Sequence, residues 1–212
     1  QRSLSVGGAE KNMVSLANHL HESGHKVKMF LLSKTRKDYD VKFEIEHLID
    51  RNPQNFIEKI WFNILRVKKL YEAKNIVSYD RAISFLSYPN FLNVLTKKNE
   101  KVITSFRNSK KPNLLINIIN HYIFHKSDKI VFVSIDQLKM FVKKNQTLMK
   151  SKVIYNAIDI DKILDLKNRE INEFQVDDRS VYLCYIANYK KQKNHINLLK
   201  IFRRLINKHN DL

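Results

Sequence analysis

A chain of 212 residues with 43% hydrophobic and 28% charged side chains can bury a sizeable core, and its composition is not that of a disordered protein. The 39 Lys+Arg against 21 Asp+Glu leave a net charge of +18, which points to an acidic partner: nucleic acid, an anionic membrane surface or a phosphorylated small molecule. The apolar runs 130–133 and 182–187 are far too short to span a bilayer and no signal-peptide pattern opens the sequence, so it reads as cytoplasmic; a single cysteine, Cys184, excludes an internal disulfide and zinc-ribbon spacing.

Two of the three glycines stand together at Gly7-Gly8, directly before the helical spacing of Met13, Val14, Leu16, Ala17 and Leu20. A tight loop feeding a helix N-terminus exposes backbone N–H groups that favour an anion, although a plain turn accounts for the pair equally and Glu10 already complements the dipole. The helix is predicted to end near Ser23, with Gly24 as a left-handed cap and a strand over 26–32. Val41, Phe43 and Ile45 alternate with charged residues, the period of a half-buried strand at a sheet edge.

Residues 56–73 carry Phe56, Ile57, Ile60, Trp61, Ile64 and Leu65 among Lys59, Arg66, Lys68 and Lys69. That stripe suits a helix packed on a sheet, the reading preferred here, and it also suits a basic amphipathic helix lying on a membrane. Short buried strands are predicted at 82–86, 101–105 and 129–133, each followed by helical material at 91–97, 114–124 and 137–144, with one more strand at 152–155. The alternation predicts an α/β fold, a parallel sheet with helices on both faces. The chain turns polar over 161–179, then starts a strand at 181–186 with Cys184 as a small buried side chain, and a helix at 194–207. We therefore expect a domain over 1–160, its first strand missing, a linker over 161–180, and over 181–212 the first βα unit of a truncated second domain.

Several residue groups could carry chemistry. Arg107-Asn108 follows a strand, where ligands of open α/β sheets bind, and a guanidinium there could clamp a phosphate or sugar oxygen; a solvated arginine is the rival. Tyr88 and Asn90, one strand earlier, offer polar groups to sugar hydroxyls. Lys190, Lys191 and Lys193 crowd a helix N-terminus, which is unfavourable unless they and the backbone N–H groups face an anion together, and diphosphate fits. Asp159-Ile160-Asp161 has the Asp-x-Asp form of a metal-holding triplet, but capping the next helix is preferred. His121 and His125 share a helix face as zinc ligands do, yet Tyr122 stands where a metalloprotease needs glutamate, so they read as packing or surface residues. No metal site is expected.

Taken together, these segments resemble the group 1, or family 4, glycosyltransferases of the two-Rossmann GT-B fold. Gly7-Gly8-Ala9-Glu10 resembles that family's Gly-Gly-x-Glu loop, Ser23-Gly24-His25-Lys26-Val27 its Gly-His-x-Val junction, and Val153-Ile154-Tyr155-Asn156-Ala157-Ile158-Asp159 its hinge segment Val-Ile-x-Asn-Gly-Val-Asp. Residues 186–194 resemble the turn that holds the donor diphosphate, with Lys193 matching the family's lysine; Ala187 and Asn188 stand where the family usually has Gly and Arg. The resemblance implies retaining transfer of a sugar from a nucleotide-diphosphate sugar to a glycan or lipid-linked acceptor in envelope polysaccharide synthesis, as in bacteria, with no cofactor and no obligatory metal. It implies donor or phosphate contacts at Gly7, Gly8, Asn188, Lys191 and Lys193, and positioning by Arg107, with Tyr88, Asn90 and Asn108 toward the acceptor. A peripheral position at the inner membrane face is expected, where the basic surface meets anionic lipid, and the piece alone is expected to be inactive. The alternatives are a basic nucleic-acid binder, for which no recognised motif is present, and a noncatalytic remnant.

Overall fold

The computed structural model describes residues 7–33, 39–107, 113–142, 145–169, 177, 182–189 and 191–208. The chain divides into two units, Gln1–Ile158 and Asp159–Leu212.

In the first unit α1 (Gly8–Glu22) ends at Ser23, and Gly24 takes φ +88, the left-handed conformation in which a side chain would be strained. There follow β1 (Lys28–Leu31), β2 (Glu44–His47), α2 (Phe56–Ile76), β3 (Arg81–Phe85), α3 (Ser87–Leu95), β4 (Lys101–Phe106), α4 (Leu114–Lys126), β5 (Lys129–Phe132), α5 (Ile135–Phe141), α6 (Asn145–Lys150) and β6 (Ser151–Val153). Every pairing is parallel: β1 with β2 in a two-stranded sheet, and β3-β4-β5-β6 in sequence order in a four-stranded one. This is the expected α/β, Rossmann-like architecture. Val41 and Phe43 lie before β2, packed on the core under α1, and are not part of the strand.

Side-chain alternation along the strands assigns the helices to faces. Met29 and Leu31 of β1 join Phe85 of β3 and Met13, Val14 and Ala17 of α1, whereas Leu32, just past β1, packs with Leu70 of α2 and Leu92 of α3. On that second face Val102, Phe106, Ile130 and Phe132 pack with Ile123 and Phe124 of α4. Phe106, Phe132 and Phe141 of α5 pack together with ring centroids 5.7–6.1 Å apart. The sheet is thus wound on both sides, α1 on one face and α2, α3 and α4 on the other.

Two local expectations are corrected. The helix expected at 91–97 begins earlier, with Ser87-Tyr88-Pro89-Asn90 as the first turn of α3, because proline is tolerated in a first turn, where its missing N–H has no partner to lose. The stripe of α2 expected in the core points outward: Phe56, Ile57, Ile60, Trp61 and Ile64 are exposed, and Phe62, Arg66, Leu70 and Lys74 are buried. Fixed acceptors draw the two cations inward. Arg66 Nε donates to the Leu32 carbonyl at 2.9 Å, and Lys74 Nζ donates to Glu100 at 2.5 Å and to the Asn93 side chain at 2.8 Å.

The second unit holds α7 (Ile160–Lys167), within the segment expected to be linker, a single 3₁₀ turn Lys191–Lys193, and α8 (His195–Lys208). The strand expected over 181–186 is absent among the described residues: Tyr182 to Asn188 is irregular, with no neighbouring strand to satisfy its backbone, and Cys184 is exposed instead of buried. Among the described residues no helix is long and apolar enough to cross a membrane.

Candidate functional site

The carboxyl edge of the strands is where an open α/β sheet leaves room for ligands. On the α1 face that edge begins with Gly7, which is extended (φ −171) and serves as N-cap without a side-chain hydrogen bond. Its N–H donates to the Tyr39 hydroxyl at 3.1 Å, and its carbonyl accepts from Lys11 N–H at 2.9 Å. Neither glycine of the pair has a positive φ. A Cβ on Gly8 would meet nothing within 4 Å, whereas one on Gly7 would lie 2.3 Å from the Glu10 carboxylate, which folds back over the helix start.

Arg107 directly follows β4 and shares the side-chain parity of Ser105, which pairs with Phe85 across the sheet. Its guanidinium lies over the Phe85 ring at 3.8 Å from the centroid and donates through one terminal nitrogen to the Asn156 side-chain oxygen, while its Nε is buried without a partner. Desolvation pushes the guanidinium pKa down to about 10, so the group is still a full cation at neutral pH. No carboxylate compensates it among the described residues. Phe85 is also in the cluster with Met13 and Val14, which ties the arginine to the helix that Gly7 and Gly8 open.

Leu86, next to Phe85, has φ 74 and ψ 155, a region almost reserved for glycine, and its N–H is held by the Ser105 carbonyl at 3.1 Å. Such strain costs about 1–3 kcal/mol and persists only where the surroundings over-determine it, commonly beside binding sites.

In the second unit Lys191 and Lys193 are exposed on the 3₁₀ turn just before α8, and neither is ion-paired among the described residues. Tyr185 donates its hydroxyl to the Lys193 carbonyl at 2.5 Å, and Tyr189 stacks on His195 at 4.7 Å, fastening the turn to the helix start. Asn194 takes φ 56, which asparagine tolerates, and its carbonyl accepts from Leu198 N–H at 3.1 Å. The lysines therefore stand at the positive end of α8, where a bound anion would be favoured.

The model of a family described as Glycosyltransferase Family 4 matches residues 6–162. The chain belongs to that family. A search of curated proteins found no match.

Within this family 4 glycosyltransferase the sequence-predicted residues meet different fates. Asn90 is fully buried, accepting from Ser84 at 2.8 Å and donating to the Ser105 carbonyl at 3.0 Å, so its amide holds β3 and β4 together and presents no surface to a ligand. The Tyr88 hydroxyl donates to Asn63 of α2 at 2.6 Å. Asn108 and Lys190 lie outside the described residues, and Asn188 is exposed. His121 and His125 are exposed on α4, Asp159 and Asp161 are exposed at the start of α7, and among the described residues no three His, Cys, Asp or Glu side chains gather as metal ligands. Phe85, Leu86 and Asn156 were not foreseen as site residues. Asn156 had a signal, since it belongs to the hinge segment that carries the resemblance, whereas a leucine with positive φ has none.

The glycosyltransferase also has an open depression of about 590 Å³, but at the opposite, amino-terminal edge of the strands, lined by Lys97, Lys126, Asp128 and Lys150 among others. Two of its ammonium groups are engaged locally: Lys97 with Asp128 at 2.7 Å, Lys150 with the carbonyls of His125 and Ser127 at 3.1 and 3.2 Å. It ties loops together, and we place no chemistry there.

Proposed function

We propose that this glycosyltransferase is of the GT-B type and transfers a sugar, with retention of configuration, from a nucleotide-diphosphate sugar to a glycan or lipid-linked acceptor of envelope polysaccharide synthesis. The observation that carries the reading is Arg107: a desolvated cation with no carboxylate partner among the described residues, beyond the carboxyl end of β4, in a chain of this family. A protein keeps such a group, at a cost in stability, for a negatively charged or hydroxyl-rich ligand.

In this reading the lysine turn before α8 receives the diphosphate. Lys193 and Lys191, with the α8 N-terminus and the Asn188 amide, stabilise the negative charge that develops on the leaving diphosphate, which is electrostatic catalysis and asks for no metal. Arg107, steadied by Asn156 and Phe85, positions acceptor or phosphate, and the Gly8 end of α1, where no Cβ intrudes, is the part of that helix start left for close backbone approach. α8 buries none of its side chains and 182–188 is irregular.

Equilibrium titration of the full-length gene product with UDP-, GDP- and ADP-sugars tests the proposal. One of them should bind, and the Lys191→Ala/Lys193→Ala variant should lose that binding. Absence of binding across the panel overturns the donor assignment.

A further inference from the structure

The turn that leaves β3 is gripped more firmly than its strands require. β3 and β4 are already paired over five residue pairs, from Arg81 with Lys101 to Phe85 with Ser105. Just past the last pair Leu86 has φ 74, and the polar groups around it converge on that one residue. Its N–H donates to the Ser105 carbonyl at 3.1 Å, its carbonyl accepts from Asn90 N–H at 2.9 Å, and the Asn90 side chain donates to the same Ser105 carbonyl at 3.0 Å. Asn90 thus bears on both ends of the strained residue. It is held in turn: its side-chain oxygen accepts from Ser84 at 2.8 Å, Ser84 accepts from the Asn93 amide at 3.1 Å, and the Asn93 side-chain oxygen accepts from Lys74 at 2.8 Å. All four side chains are buried. A satisfied buried network is rigid, whereas apolar groups of the same shape would do as well if the two strands only had to be held together.

Phe85 is the residue directly before this turn, and its ring is the seat of the Arg107 guanidinium, 3.8 Å from the centroid. Ser105, whose carbonyl receives both donors, stands two residues before Arg107. We propose that Asn90 is a positioning residue for ligand binding at Arg107: it pins Leu86 in a backbone conformation that leucine does not choose, and so fixes the ring and the strand end on which the guanidinium lies. The inference deepens the reading of Arg107 as a ligand-binding cation, on which it rests. A leucine at positive φ is strained and keeps that conformation only where its surroundings over-determine it. Without the two Asn90 bonds Leu86 relaxes to negative φ, the start of α3 turns away from the end of β3, and Phe85 is released with it. Arg107 has little else to hold it. Among the described residues its guanidinium donates only to Asn156, and its Nε is buried without a partner.

Proton–nitrogen NMR of the full-length gene product carrying isotope-labelled arginine reads this seat directly, without ligand. The Arg107 Nε–H resonance, assigned by its loss in Arg107→Gln, should be shifted upfield by the Phe85 ring. Asn90→Ala should return it toward the ordinary arginine position and weaken binding of the nucleotide-diphosphate sugar at least tenfold, since misplacing a positioning group by about 1 Å costs on the order of 100-fold. Adding Leu86→Gly to Asn90→Ala should restore both, because glycine adopts the turn without being held. If Asn90→Ala does not fold, Ser84→Ala, which removes one of the bonds that hold Asn90, is read in its place and should move the resonance in the same direction. The inference is overturned if the resonance is unmoved in these variants, or if Leu86→Gly restores nothing, which would leave Asn90 a fastener of two strands. Failure of every donor to bind would overturn the donor assignment instead, and the resonance, read without ligand, still decides the role of Asn90.

Discussion

Arg107 sits where function and stability pull in opposite directions. Its guanidinium has lost much of its water, holds one neutral amide oxygen, and leaves a buried Nε without an acceptor. Arg107→Met keeps the length and the contact with the Phe85 ring while removing the uncompensated charge, so the midpoint of thermal unfolding should rise as donor or acceptor binding is lost. A falling midpoint would contradict the account. Arg107→Gln should weaken ligand binding by about 10- to 100-fold, the worth of a hydrogen bond to a charged group at roughly 1.5–3 kcal/mol. Because the folded pKa of about 10 lies below the ordinary arginine value, the folded state holds this proton less tightly than the unfolded chain. Its contribution to stability therefore rises only as pH passes above about 10, and binding that depends on the cation should be flat between about pH 6 and 9. Leu86 makes the complementary case. Glycine there relieves about 1–3 kcal/mol of backbone strain and loses a half-buried side chain, so Leu86→Gly should leave stability near the parent value, while Leu86→Ala, which keeps the strain, should lower it. Calorimetry of the two variants separates these outcomes.

Among the elements, α2 depends most on its polar side chains. Its amino end is capped by side chains: Asn55 accepts from Glu58 N–H at 2.8 Å, and the Glu58 carboxylate accepts from Arg51 at 2.7 and 2.9 Å and from Gln54 N–H, one residue before the cap, at 2.8 Å. Arg51, then the Gln54 N–H, hold the Glu58 pKa down to about 2. A depressed carboxylate contributes stability that is present above its ordinary value near 4.5 and lost as pH falls toward about 2, so the first turns of α2 should loosen over that window. Trp61 fluorescence should report the change, and Glu58→Gln should remove the pH dependence. Near the other end, Lys74 is buried against Glu100, with side-chain exposures of 4% and 3%. Desolvation outweighs the carboxylate and lowers the Lys74 pKa. Breaking such a pair strands a charge, so Lys74→Met alone should cost about 3–5 kcal/mol, while Lys74→Met with Glu100→Gln should recover most of it. Denaturant melts of the two single variants and the double give the coupling; an undisturbed single variant would show that the pair holds nothing.

Periodicity located most elements of the first unit, because a spacing of 3.6 or 2 residues records that one face is buried. It does not record which partner buries that face. For α2 the apolar stripe was legible and its direction was not, since Arg66 and Lys74 are drawn inward by a carbonyl, an amide and a carboxylate contributed from distant parts of the chain. Arg107 was legible because a cation after a buried strand stands at the ligand edge of any such sheet. Asn90, on the same edge, read as an equally good site residue, and only its bonds to Ser84 and Ser105 show it to be structural. The run 181–186 has the pattern of a buried strand, but a strand needs neighbours, and none is paired with it among the described residues.

At the scale of the whole molecule the net charge of +18 includes Arg107 beyond β4 in the first unit and the exposed Lys191 and Lys193 before α8 in the second, the two places to which the proposed function assigns anions. Calorimetric titration of the full-length gene product with a nucleotide-diphosphate sugar, repeated for Arg107→Gln and for Lys191→Ala/Lys193→Ala, tests the central claim most directly. The account predicts saturable binding of at least one donor, at least tenfold weaker in both variants. Binding that is indifferent to both changes, or no binding by any donor, would contradict it.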